Sequence, residues 1–207
     1  LYEVILMKLI EVSMVIGIIV TIALSCLLEV KSTYDDLQDN VLRMHILANS
    51  DSEEDQALKL RVRDELLNNT EAIFGDCSNI DEAETYVQEK LSLIQDLATD
   101  VVRDSGYDYS VKAELVNMEF DDRTYDEIVM PAGFYDAIRI TIGEAKGHNW
   151  WCVMYPPMCI DAVSEDCSNQ YFSEEATDIL YHNDEYELKL KLLEWLELCN
   201  IIPRLKG

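Results

Sequence analysis

Basic residues are scarce in this chain: 16 Lys and Arg stand against 41 Asp and Glu in 207 residues, for a formal charge of −25. Nucleic-acid affinity comes mostly from Lys and Arg neutralising phosphates, so so acidic a surface excludes a nucleic-acid partner. It also disfavours electrostatic docking on anionic lipid. No Lys or Arg occurs between Gly147 and Leu188. That stretch reads as solvated surface, and any partner that reads charge there must be basic. The chain also lacks a Cys-x-x-Cys pair, a Cys/His zinc spacing and a His-Glu-x-x-His helix, so a metal site has no motif behind it. No cofactor, metal or small-molecule substrate is expected. No internal repeat is present.

What is there begins with a long apolar run. Val12 to Leu28 holds 17 residues without a charge, near the lower limit of about 17 for a membrane-spanning helix. It is apolar on all faces, which disfavours an ordinary amphipathic core helix. A secretory signal has a shorter apolar core behind a basic segment, and here Lys8 is offset by Glu3 and Glu11. Residues 1–29 therefore read as a signal peptide or a signal anchor, and both readings stand. Ala23-Leu24-Ser25-Cys26 also invites a lipoprotein reading, although Ala23 stands where such sites usually carry Leu. Residues 30–40 are polar and read as a linker. The remainder is long enough for one domain with its own core.

Within that domain, Val41 to Ala48 reads as a central strand. Asn49-Ser50-Asp51-Ser52 breaks it with turn and cap residues. Ser50 with Glu53 fits a capping box, and Ser52 with Asp55 fits it less well. The helix then runs from about Glu53 to Leu67, with Leu58, Val62 and Leu66 on one face. A second helix is expected over Asp81 to Arg103, carrying Val87, Leu91, Ile94, Leu97 and Val101. Tyr109 to Phe120 reads as a strand with a bulge, Asp121-Asp122-Arg123 as a turn, and Phe134 to Ile142 as a strand opened by Pro131-Ala132-Gly133. Trp150 to Tyr155 is an apolar run that Pro156-Pro157 must end. The order predicts an α+β fold: a single domain with helices packed on one face of a small, mainly antiparallel sheet, after an N-terminal hydrophobic helix. The domain covers 41–161, and 162–207 is an acidic C-terminal extension. Ser164 to Asp184 reads as loop or disorder. The segment from Tyr186 fits strand and helix periods alike, with length favouring a helix.

The chemistry-bearing candidates form three groups. Arg43, His45, Asn49, Asp51, Asp55, Gln56, Lys59, Arg63 and Asp64 cluster at the strand end and first helix. They fit a partner-recognition patch or a surface helix stapled by ion pairs such as Asp55–Lys59. Trp150 and Trp151 are adjacent, so in a strand they point to opposite faces, and an exposed one would anchor an interface. Six cysteines occur, at 26, 77, 152, 159, 167 and 199. Cys152 and Cys159 flank the Pro156-Pro157 turn, which can bring them within the roughly 4.4–6.8 Å Cα separation of a disulfide. Buried free thiols are the other reading. A sharper alternative is an exported cysteine hydrolase acting on the cell wall, with Cys152 as nucleophile and His45 or His148 as base.

Two blocks carry a resemblance. Arg43, His45, Ala48, Asn49, Ser50, Asp51, Asp55, Gln56, Leu58, Lys59, Val62, Arg63 and Asp64 form the first. Pro131-Ala132-Gly133, then Gly143 to Val153 (GEAKGHNWWCV), then Pro156, Pro157 and Cys159 form the second. Together they resemble the stage II sporulation protein R family across about Val41 to Asp161. Glu144-Ala145-Lys146 departs where the family often has a second Gly. The resemblance implies a non-enzymatic signalling protein, with no catalytic residue of its own. It would be made in the forespore and exported into the space between the two membranes, secreted or held by its N-terminal helix. There it would activate a membrane-embedded sporulation aspartic protease, which removes the pro-sequence of the first mother-cell sigma factor.

Overall fold

Between Tyr2 and Asp39 the chain has one glycine and no proline, so nothing stops a helix once it starts. In the computed structural model, which describes residues 2–75, 77–125, 128–156 and 172–198, helix α1 takes all 38 residues of Tyr2–Asp39. At 1.5 Å per residue it is about 57 Å long, and a bilayer core is about 30 Å thick. Its N-terminal part is exposed and apolar, long enough to cross a membrane. The polar stretch from Val30 is therefore helix and not a linker. A Lys31–Asp35 ion pair of 2.8 Å one turn apart supports it, and Tyr34, Leu37 and Gln38 bury one side of it.

The remaining elements are β1 (Leu42–Leu47), α2 (Glu53–Asn68), α3 (Thr70–Phe74), α4 (Ile80–Asp104), β2 (Val111–Phe120), β3 (Arg123–Tyr125), β4 (Ile128–Met130), β5 (Gly133–Ile142), β6 (Asn149–Tyr155), α5 (Glu174–Tyr181) and α6 (Asn183–Leu198). The fold class is α+β, as the sequence predicts. The sheet has the order β2-β5-β1-β6. β1 is parallel to β5 and antiparallel to β6, and β2 is antiparallel to β5. β2 and β5 pair without interruption from Val111↔Ile142 to Phe120↔Gly133, so the bulge expected in β2 is absent. The irregularity lies between Leu42 and Arg43, opposite β6.

Period two along β1 decides the layering. Leu42, Met44 and Ile46 face α2 and α4 and join Leu58, Val62, Leu66, Val87, Ile94, Ile138, Ile140 and Met154 in one core. The opposite face does not meet water. Leu37 and Val41 from the end of α1, Met130 of the β3–β4 hairpin, and Phe172, Ala176, Ile179 and Leu180 at α5 build a second core against Phe120, Tyr135, Ala137 and Val153. Helices thus cover both faces, not one. The sequence hid this because half of the second layer comes from segments that read as a linker, a turn and a disordered tail.

Capping sets where α2 starts. Ser52 is the N-cap, its hydroxyl accepting from the Asp55 backbone N–H at 3.2 Å; the reciprocal half of a capping box is not made, because the Ser52 N–H goes to the Ser50 hydroxyl at 3.2 Å. Asn79 caps α4 through the Glu82 N–H at 2.9 Å, and the Glu82 carboxylate returns to the Ser78 N–H at 2.9 Å.

The α1 junction rests on Pro131-Ala132-Gly133. The Ala132 carbonyl accepts from the Tyr34 hydroxyl and, at 3.3 Å, from the Gln38 amide. Gly133 has φ +150°, and a Cβ there would lie 1.9 Å from Gln38 Nε2, so glycine admits the helix end. Because Leu37 is fully buried, Leu37→Ala in the full chain should cost about 2–5 kcal/mol. Denaturant unfolding in detergent reads this, and an unchanged midpoint would mean that residues 30–40 are a linker after all.

Candidate functional site

The first block of motif residues folds into a brace between the β1–α2 turn and the β5–β6 loop. Gly147 N–H donates to the Ala48 carbonyl at 3.0 Å and Lys146 N–H to the Asn49 carbonyl at 3.1 Å. The Asn49 side-chain oxygen accepts from Glu144 N–H at 2.9 Å, and Asp51 Oδ1 accepts from His148 N–H at 2.6 Å and pairs with its ring Nδ1. A Cβ on Gly147 would sit 2.1 Å from the Ser50 carbonyl oxygen, which is backbone and cannot step aside. The Asn49-Ser50-Asp51 turn and the two-glycine loop are therefore one object.

Asp55 and Lys59 hold that object from below, each 4% exposed. Asp55 Oδ2 accepts from the Asn49 amide at 2.8 Å and the Ser50 hydroxyl at 2.5 Å. Burial pushes its carboxyl up, but hydrogen bonds from Ser50, Asn49 and Tyr109 outweigh that and leave it below the usual carboxylate range. Gln56 donates to the Ser50 carbonyl at 2.9 Å. The Lys59 ammonium reaches Gln56 Oε1 at 2.6 Å and the His148 carbonyl at 2.9 Å, not Asp55, so the expected i,i+4 bridge is not made. Burial lowers the Lys59 pKa. Both charges serve the brace, and neither is offered to a partner.

Arg43 and His45 lie deeper, on the second face of β1. Arg43 is fully buried. Its guanidinium carbon lies 4.1 Å from the Phe120 ring centre and 5.0 Å from that of Tyr135. Nη2 donates to the Tyr125 hydroxyl at 2.8 Å, which in turn donates to the Trp151 carbonyl at 3.1 Å. Nε and Nη1 have no hydrogen-bond partner. His45 stacks on Trp151, with ring centres 3.9 Å apart and 3° between planes. Neither ring nitrogen makes a well-formed hydrogen bond, although the Asn149 side chain is close enough to favour the proton. Burial dominates, Arg139 adds repulsion, and the imidazole pKa falls from 6.5 to about 4. A buried neutral His45 is no general base for a thiol outside this core. The two residues are interior, which corrects their place in the expected recognition patch.

Surface character survives at Asn49, Asp51, Arg63 and Trp150. The Arg63 guanidinium lies over the Trp150 ring at 4.4 Å and pairs with Asp64 at 2.6 Å. Trp150 and Trp151 do point to opposite faces, one towards each core. Both are half-buried, so neither is the fully exposed anchor. Tyr125, Phe120 and Tyr135, which enclose Arg43, carried no signal beyond ordinary strand composition. Cys152 is 1% exposed and disulfide-bonded. It holds no thiolate and is excluded as a nucleophile in this state. The expected partner Cys159 lies outside the described residues, as do Cys167 and Cys199. Cys26 is free and exposed. Among the described residues no group of three or more His, Cys, Asp and Glu could hold a metal ion.

Residues 38–165 match the family described as Stage II sporulation protein R. Stage II sporulation protein R of Bacillus subtilis (strain 168) is 31% identical over 182 residues, covering 77% of this chain and 81% of that protein. No solved structure matches. The family match begins at the last turn of α1 and takes in both halves of the brace.

Two outcomes test the site. Gly147→Ala should destabilise the domain by about 1–3 kcal/mol, because Ser50 backbone must move; an unchanged unfolding midpoint would mean the loop does not bear on the turn. His45 supplies a pH signature. The unfolded chain takes up a proton near 6.5 and the folded one only near 4, so stability falls as pH drops through that window. His45→Phe should therefore gain on the wild type between pH 6.5 and 4 and run parallel to it above. Parallel profiles throughout would show that His45 titrates normally in the folded protein.

Proposed function

Because the chain belongs to the stage II sporulation protein R family, and so has a role in sporulation, we propose that it is the exported signal between the two compartments of the sporulating cell. It is made in the forespore and carried across the membrane by its apolar N-terminus. It then activates a membrane-embedded aspartic protease on the mother-cell side, which removes the pro-sequence of the mother-cell sigma factor. The observation that carries this reading is the family match across β1 to β6, joined to an apolar helix compatible with a signal or anchor.

Activation without chemistry requires that the chain bind the protease's active state better than its inactive one. The contact surface we assign is the outer side of the brace: Asn49, Asp51, Arg63 and Trp150. These four lie on the β1–α2 turn, one face of α2 and the start of β6. Trp and Arg are enriched at interface hot spots, where a half-buried ring gives area at little entropic cost. Asp55 and Lys59 keep that surface in shape from beneath.

The test is a processing assay in cells that lack their own copy of the signal and express the protease and the pro-sigma factor. Shortened sigma factor should appear only when this chain is present and exported. Its absence, with exported and folded protein demonstrated, would end the proposal. Arg63→Ala should then weaken activation about five- to thirtyfold, as for a contact worth 1–2 kcal/mol, with the unfolding midpoint nearly unchanged. An undiminished response would remove Arg63 from the surface.

A further inference from the structure

Helix α6 carries an apolar face that the fold does not use. Leu188, Leu192 and Trp195 are 79%, 42% and 55% exposed, and their spacing of four and three residues puts them on one side of the helix. Leu193 and Leu196, on another side, are buried and attach the helix to the domain. Three large apolar side chains facing water along one helix need an occupant.

The place of α6 says which. α1 packs against both α5 and α6. Along α1, every described residue before Leu27 is exposed; Leu27 and Val30 are half-covered, and Lys31 is buried. The charge-free run ends at Leu28, so the domain begins within about one helical turn, 5.4 Å, of the end of the apolar run. With no flexible spacer, whatever packs against the last turns of α1 stands at the surface of any bilayer that α1 enters. α6 is such an element, and it leaves Leu188, Leu192 and Trp195 exposed at that level. Trp at that level suits the boundary between headgroups and acyl chains, where an apolar ring with one N–H donor meets both media. The acidic charge of the chain fits attachment by apolar insertion and not by attraction to anionic lipid.

We propose that α6 lies along the membrane–water boundary, with Leu188, Leu192 and Trp195 inserted between lipid headgroups beside α1. The domain then stands on two supports, a spanning helix and an interfacial one. Two supports fix its tilt and rotation relative to the bilayer, whereas one helix alone fixes neither. This inference rests on α1 occupying a bilayer and not on the protease reading.

The experiment uses the full chain reconstituted in phosphatidylcholine vesicles with and without brominated acyl chains, reading tryptophan emission. Bromine quenching should be about twofold or more weaker in Trp195→Phe, because Trp195 is the ring placed at the boundary. Leu188→Glu with Leu192→Glu should lower quenching while Trp195 remains. Trp150 and Trp151, half-buried in the domain, report in the same spectra that each variant is folded. Unchanged quenching in Trp195→Phe would overturn the proposal. So would Trp195 emission that escapes bromine but is shielded from aqueous iodide, which would assign the face to a protein neighbour or a second copy.

Discussion

β1 lies between β5 and β6 with a core against each face, and the rest of the architecture follows from satisfying both. Leu42, Met44 and Ile46 meet α2 and α4 as ordinary apolar packing. Arg43 and His45 must be accommodated on the other face, where water is excluded. That demand is met by aromatic rings, two around the guanidinium and one stacked on the imidazole. The rings come from β2, β5 and β6, and the hydroxyl that binds Arg43 comes from β3. A single strand thereby ties together nearly every segment that follows it.

The magnitudes show how narrow this balance is. Removing a guanidinium from water costs several kcal/mol even after relaxation, while desolvated cation–π contacts return about 2 kcal/mol or somewhat more. With Nε and Nη1 unpartnered, the arrangement is costly in isolation and is held by the packing around it. His45 avoids the same cost by staying neutral. Such groups reward one register and penalise any slip, since moving β1 by one residue would set Leu42, Met44 and Ile46 against the aromatic box and Arg43 against α2.

The brace and the α1 junction place this core relative to the N-terminal apolar helix. Gly147 and Gly133 each mark a spot where another segment comes closer than a Cβ allows, one at the Ser50 carbonyl and one at Gln38. Between them the strands run from the end of α1 to the surface formed by Asp51, Arg63 and Trp150. In a sporulation protein whose apolar helix is compatible with a signal or anchor, a helix that runs unbroken into its domain would transmit position as well as attachment.

Much of this was legible in the residues. The apolar run marked the membrane-compatible helix, and two- and four-residue periods located β1, α2, α4, β2, β5 and β6 to within a residue or two. Those are local properties, decided by the spacing of apolar side chains along one element. The chain could not by itself reveal that Val30 to Asn40 is helix, because its stability comes from burying Tyr34, Leu37 and Gln38 against a loop about a hundred residues away. Nor could it tell that Arg43, Asp55 and Lys59 are interior, since a charged residue reads as exposed until its enclosing partners are known. α5 and the β3–β4 hairpin were missed for the same reason: both are short, and only packing over the second face of β1 gives them a structure. Sequence determined which elements form; the choice of which charged side chains to bury belonged to the tertiary structure, because burial is a property of neighbours that lie far away along the chain.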